Sequence, residues 1–481
     1  MIPKSLEILH NLLNYIPIPM TSRRDFIKTS AMAGAASLAA GGSMMIPAKK
    51  AVPKKITIQS VNSNFEREPL IRPFGFKGGY IHEIWQIANY LQSVSGFEKV
   101  GLGTQGVLWS DASVFTAHAE SGGNALMYIL NEHALQILKG QSFDNPVDLL
   151  DHIFNEVYEY GKKITSNPAL RKTFVLNSLV GVDNAAWMLF AAENQITRFD
   201  DLIPEKYRPA LSNHHQKIAS IPLMAYSVPI SEIEQAVQSG YFFLKIKIGQ
   251  PGTQDEMLSK DMERISSIHK AIGNCRTEHT ADGKLPYYFD ANGRYEKKET
   301  LLKLVDHTKK IGAFSQIAII EEPFPEEAEI DVTDIPVRLA ADESAHTDKD
   351  AAIRIDMGYK AIALKAIAKT MSMTMKIASM AKEKNIPCFC ADLTVNPILV
   401  DWNKNIAARL DAFPGLGTGL LETNGHQNYK NWQTMESYHP YPDAEWRKTV
   451  NGVFNLSDDF YNLNGGILTD SEHYMKMFQK G

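Results

Sequence analysis

Cysteine is scarce in this chain, with three in 481 residues. So few exclude a disulfide framework, and Cys388 and Cys390 stand in a C-F-C run rather than the C-x-x-C spacing of redox and zinc sites. Two apart on a strand, they share one face and read as buried thiols. No histidine lies near them in sequence to make a nucleophilic pair. Charge of one sign is lacking too. The net charge is -5, and without a basic stripe or a Lys/Arg run there is no electrostatic footprint for nucleic acid. No internal repeat, low-complexity block or Ser/Gly-rich linker follows the N-terminal segment. What remains is an ordinary globular composition in a chain long enough to bury more than one core.

The N-terminus reads as an export signal. Ser22-Arg23-Arg24-Asp25-Phe26-Ile27-Lys28 matches the twin-arginine pattern, and a mild Ala/Gly-rich run from Thr29 to Gly42 follows it. That run is too short and too small-residued to span a bilayer, so no stable membrane anchor is expected. A signal would more naturally begin at Met20, and cleavage is placed between Ala35 and Ala51. Residues 1–50 are therefore expected to be leader, read by the export machinery, and the mature protein is expected outside the cytoplasm, in the periplasm.

The stretch from Tyr287 to Glu343 organises the rest. It reads YYFDANG, then IAIIEEPF, then VRLAADES: three apolar runs rich in β-branched and aromatic residues, each ending in a carboxylate. Runs without polar alternation are the mark of strands buried on both faces of a parallel sheet. One such acid is ordinarily a surface-loop residue. Three in consecutive βα units would gather Asp290, Glu321 and Asp342 around one point, as a hard cation such as Mg²⁺ requires. Upstream, FFLKIKIG puts Lys245 and Lys247 on one strand face. Downstream, AIALKAI ends in Lys365, IPCFCAD in Asp392, and GLLETN carries Glu422 and Asn424. With IPLMAYSV from Ile221 there are eight strand candidates, so the expected fold is α/β: a TIM-type (β/α)7β barrel with its chemistry at the C-terminal strand ends.

At this point the chain resembles the enolase superfamily, in its mandelate racemase and muconate-lactonising branch. Lys-x-Lys, Asp-x-Asn, Glu-Glu-Pro, Ala-Asp-Glu-Ser and a later strand-end lysine occur in that branch's order and approximate spacing, and the likeness runs from about Ile56 to the C-terminus. The resemblance implies that Asp290, Glu321 and Asp342 are Mg²⁺ ligands. It also implies that Lys247 and Lys365 are the acid/base pair, as in the subgroup of dipeptide epimerases and cycloisomerases. Two departures stand out. Dipeptide epimerases carry Asp-x-Asp on strand 8, where this chain has Glu422-x-Asn424, and the AIAKTMS after Lys365 replaces a Gly-Gly turn.

The resemblance also implies an α+β capping domain, here over 54–215, before the barrel at 216–428, with 429–481 returning to the cap. Within the cap, Ile81–Val94 and Leu149–Ile164 have helical apolar spacing, and Asn177–Glu193 is apolar on most sides. Arg72–Gly78 and Gly101–Asp111 are the candidate lid loops. The second spells G-x-G-x-x-G over Gly101–Gly106, but the stretch before it is a poor strand and no clear helix follows. A mobile Gly-rich lid is expected there rather than a dinucleotide site.

In an eight-stranded barrel, strands 2 and 6 lie opposite each other, so Lys247 and Lys365 should flank the cavity. The expected reaction is removal of the α-proton of a small carboxylate substrate, giving an enediolate stabilised by the metal. Lys245 is expected to lower the pKa of Lys247 through like charge. Asn292 is expected to orient ligand or substrate, and Glu322 and Glu343 are either supporting acids or solvated ones. Glu422 and Asn424 are expected to read the substrate. A racemase or epimerase, working as a homo-oligomer, is the first expectation. A dehydratase or cycloisomerase sharing the same intermediate is the second, and a non-catalytic exported binding protein the remote third.

Overall fold

The computed structural model describes residues 53–76 and 79–479. The expected export segment, and Lys77 and Gly78 of the first lid loop, lie outside them.

The described residues open with a long antiparallel hairpin, β1 (Ile56–Phe76) and β2 (Gly79–Ser93), to which β3 (Glu98–Gln105) adds on one side and the short β4 (Ser142–Phe143) on the other. Three helices pack with this sheet: α1 (Ala112–Leu138), α2 (Pro146–Thr165) and α3 (Lys172–Glu193). Asp111 caps α1 through the amides of Ser113 and Val114, and Asn145 caps α2 ahead of a proline in its first turn. Helix α3 is apolar and long enough to cross a membrane, yet it is wholly buried within the fold. It is the central helix of the cap.

Two expectations fail here. Ile81–Ser93 is strand, not helix, and Val94 begins the turn after it. Its apolar residues do not alternate because β2 is covered on both faces: Gln86 points to Tyr429 of the C-terminal segment, and Asn89 points to Asn131 of α1. A doubly covered strand carries no period of two, so its spacing mimics a helix. The Gly-rich stretch is likewise not a mobile lid through Gln105. It is the buried strand β3, and its glycines admit α3: a Cβ on Gly101 would lie 2.1 Å from the Ala185 nitrogen, and one on Gly103 would lie 2.8 Å from the Gly181 nitrogen. Close helix–strand packing, not phosphate binding, is what these glycines serve.

The second sheet curls into the barrel. Its parallel strands are β5 (Lys217–Ile221), β6 (Leu223–Met224), β7 (Leu244–Lys247), β8 (Tyr287–Asp290), β9 (Ile317–Glu321), β10 (Leu339–Ala341), β11 (Ala361–Leu364), β12 (Cys388–Cys390) and β13 (Gly419–Glu422). The expected first strand begins earlier than Ile221 and is broken by Pro222. One half, β5, pairs with β13 and the other, β6, pairs with β7. The break closes the curl, and the Pro222 carbonyl still accepts the Lys245 amide at 3.1 Å. Among the described residues no helix joins β9 to β10. Pro323 and Pro325 stand at the start of that connection and supply no amide for a helical ladder.

A late hairpin, β14 (Thr449–Val450) with β15 (Val453–Asn455), extends the barrel sheet by pairing antiparallel with β5. The same C-terminal segment also holds the cap: Tyr429 bridges to Leu70, Lys99 pairs with Asp470 at 2.6 Å, and His473 reaches Glu66 at 2.9 Å.

Candidate active site

A strand buried on both faces directs alternate side chains into the barrel, and those at the last positions reach its mouth. Lys245 and Lys247 do so from β7, Asp290 from β8, Glu321 from β9 and Glu422 from β13, while Asp342 and Lys365 directly follow β10 and β11 and Asp392 lies two residues past β12. Lys245, Lys247, Asp290, Asn292, Asp342, Glu343, Lys365, Asp392, Glu422 and Asn424 all line one cavity. Glu321 is fully buried beneath it, bonded to Lys245.

The ammonium groups are each held by acids. Lys245 sits 3.0 Å from Asp290, 3.1 Å from Glu321 and 3.1 Å from Glu422. Burial would lower its pKa, but these carboxylates more than offset that and raise it well above the usual lysine value. Lys245 is thus held as an ammonium among three carboxylates rather than standing as a lone cation beside Lys247. Lys247 donates to Asp290 at 2.6 Å and to the side-chain oxygen of Asn292. Lys365 donates to Asp342 at 2.5 Å; burial would lower its pKa, but Asp342 together with Glu343 and Glu321 offsets that and raises it. Burial pushes Asp290 up, yet Lys245 and Lys247 bring its carboxyl down to about 2.

The acids divide into two groups. Asp290 is occupied by two lysines and by the Asn292 amide. Glu321, Asp342 and Glu343 each offer an oxygen, all within 4.8 Å of one another. One oxygen of Glu321 and one of Glu343 are buried with no hydrogen-bond partner. Buried carboxylate oxygens without donors are costly unless a cation faces them. An all-oxygen set of this kind fits a hard divalent cation such as Mg²⁺. Glu343 thus joins the acids named from sequence; it is fully buried rather than solvated, and its other oxygen accepts from Asn292. Glu322, also buried, accepts from the Asp342 amide and from both nitrogen and hydroxyl of Ser344. Burial first, and then the charge of Glu343, push its carboxyl up to about 8. Asn292 and Glu322 hold positive φ, at 45° and 38°, so the backbone turns sharply just past two adjacent strand ends.

Glu422 and Asn424 reach the cavity but are already engaged. Glu422 accepts from Lys245 and from the Asp392 amide, while Asn424 accepts from Thr394. Asp392, passed over as a site residue in the sequence, lines the same wall; burial and the nearby Glu422 push its carboxyl up to about 7. Its position at a strand end was the only signal for it.

Residues missed altogether from the sequence are Lys369 and Arg171. Lys369 is fully buried and donates to the Asp342 and Ala345 carbonyls. Arg171, just before α3, donates to the Trp109 and Ser110 carbonyls at 2.7 and 2.8 Å, to Glu326 at 2.9 Å and to the Glu343 carbonyl at 3.3 Å. Above the lysines lie two cap rings: Phe76 is 5.8 Å from the Lys247 nitrogen and Trp109 is 4.3 Å from that of Lys365.

A curled parallel sheet under an antiparallel cap is the fold of the enolase superfamily. Residues 230–416 match the family described as enolase C-terminal domain-like. No curated protein sequence matches the chain. Among solved structures, it is similar to a dipeptide epimerase from Enterococcus faecalis, complexed with Mg and L-Leu-L-Tyr (17% identity, 76% of this chain and 90% of that one, TM-score 0.55). It is also similar to an N-succinyl Arg/Lys racemase from Bacillus cereus (16%, 78% and 89%, TM-score 0.56). An L-talarate dehydratase from Polaromonas, complexed with Mg and L-glucarate, is similar at 15% identity over 79% of this chain and 88% of that one, TM-score 0.55.

Proposed function

We propose that this protein is a Mg²⁺-dependent racemase or epimerase that removes the α-proton of a small carboxylate and returns a proton to the opposite face. The observation that carries this reading is the pair of buried lysines, Lys247 from β7 and Lys365 after β11, lining one cavity beside a group of acids with unpaired oxygens. Glu321 and Asp342 would hold the cation, with Asp290 or Glu343 as the third acid. When bound, the cation supplies a Lewis acid for the substrate carboxylate, easing the charge that grows there as the α-proton leaves.

The chain's own residues do the proton work. One lysine, as free amine, takes the α-proton; the other, as ammonium, delivers one to the far side of the planar enediolate. Asn292 ties Lys247 to Glu343, and Asp342 fixes Lys365, so each nitrogen is oriented before substrate arrives. An epimerase and a racemase are among the similar structures, as is a dehydratase, and the two lysines facing one cavity are what put the two-base reading first.

Exchange of the α-proton in D₂O, followed by NMR on each stereoisomer separately, tests it. Lys365→Ala should stop interconversion, with a loss of about 10²–10⁴-fold, yet leave exchange on the isomer facing Lys247. Lys247→Ala should give the mirror result, and Glu321→Gln should lose exchange on both isomers together with Mg²⁺ affinity by calorimetry. Loss of exchange on both isomers in both lysine variants would overturn the two-base scheme and put elimination or cycloisomerisation first.

We infer from Arg23-Arg24 that the precursor is exported folded, by the twin-arginine route, to the periplasm. Changing both to lysine should trap an uncleaved precursor in the cytoplasm, and normal processing of that variant would refute the inference.

A further inference from the structure

The cavity has two chemically different halves. Its floor is ionic, built from the strand-end lysines and acids. The cap closes it with Phe74, Phe76, Ile81, Ile84, Leu108 and Trp109, and every described cap residue that lines it is uncharged. Five of these six are buried: Leu108 is 2% exposed and Ile84 is 3% exposed. Among the described residues no cap side chain in this roof offers a carboxylate, ammonium or amide, and the polar edge at Asp392, Thr394 and Asn424 is already bonded: Thr394 donates to Asn424, the Asn424 amide to Asp392 and the Asn424 side chain to Glu422.

We propose that the substrate is a carboxylate whose distal part is an aryl or branched alkyl group, and that acids with charged or polyhydroxylated distal parts are rejected. The proposal rests on the reading of the floor as the site that binds the carboxylate. With that end held by the floor, the rest of the molecule is directed at the roof. A hydrocarbon group there gains by leaving water for contact with rings and branched chains. A guanidinium, second carboxylate or chain of hydroxyls would lose its water there and find no partner among the described residues of the roof. That difference favours one class and penalises the other in the same pocket, which is how a site discriminates. Sugar acids are among those excluded, so the roof also weighs against dehydration of a polyol acid.

The test is calorimetric binding to the Mg²⁺-loaded full chain of N-acetyl-L-phenylalanine, N-acetyl-L-leucine, N-acetyl-L-arginine, N-acetyl-L-glutamate and D-gluconate. The first two should bind about tenfold or more tighter than the other three, the difference expected when polar groups are buried without partners. Leu108→Gln, which places an amide in the roof, should narrow the gap; if that variant does not fold, the wild-type series decides alone. Equal affinity across the series, preference for a charged or hydroxylated acid, or no binding by either apolar acid overturns the proposal. Whether the α-proton of a bound acid exchanges in D₂O is read separately. An apolar acid that binds without exchange on either isomer defeats the proposed reaction and leaves the specificity intact.

Discussion

Arg171 belongs to the cap by sequence and to the barrel by its bonds. One guanidinium fixes the turn that carries Trp109 and, on its other side, the loops behind Glu326 and Glu343. A planar fork with several donors is what joins four acceptors at once, and an ammonium has a different geometry. Arg171→Lys should therefore keep the charge and lose the alignment of Trp109 over Lys365. Small misplacements at a reacting centre cost up to about 100-fold; we expect kcat/KM to fall about 10- to 100-fold while Mg²⁺ affinity is unchanged. Unchanged kinetics in a folded Arg171→Lys protein would show that the fork does not position the site. Arg171 had no signal in the sequence, because a lone arginine before a helix is ordinarily solvated. The lysines and acids were legible because charged residues ending apolar runs are rare except where strands meet at a mouth.

At the scale of elements, legibility followed how many faces each one buries. The barrel strands read correctly because continuous apolar runs and their terminal charges repeat in a fixed order. Helix α2 read correctly because one face is buried and the other wet. Strand β2 did not, since the C-terminal segment covers one face and α1 the other, a fact held by residues more than 300 positions away in the case of Gln86 and Tyr429. The G-x-G-x-x-G stretch misled for a related reason. Glycine reports only that something approaches the backbone closely; here it is the backbone of α3, where a mobile loop had been expected. The break at Pro222 was visible as a residue but not as a barrel seam, because its meaning depends on which strand pairs with each half.

At the scale of the whole molecule, cap and barrel are joined by a buried acid. Asp183 of α3 accepts from the Ser372 amide at 3.0 Å and from its hydroxyl at 2.5 Å, and Trp187 donates to the same hydroxyl at 3.0 Å. Ser372 begins the helix that follows Lys365, so this contact ties the cap's central helix to the unit bearing one of the two site lysines. Burial pushes the Asp183 carboxyl up to about 7, and the bonds from Ser372 offset only part of that. In an unfolded chain the same carboxyl titrates near about 3.9. Between those values the folded protein holds a proton that the unfolded chain has released. The stability Asp183 contributes is therefore complete below about pH 4 and is lost as pH rises through about 7. A single proton sets the slope at no more than about 1.4 kcal/mol per pH unit. Asp183→Asn keeps an acceptor for the Ser372 amide and cannot ionise, so it should gain stability relative to the wild type as pH is raised from 5 to 8. Melting temperatures of the two proteins measured across that range decide the matter. Parallel curves would mean that Asp183 does not change its charge state there, and that the joint between cap and barrel is indifferent to pH.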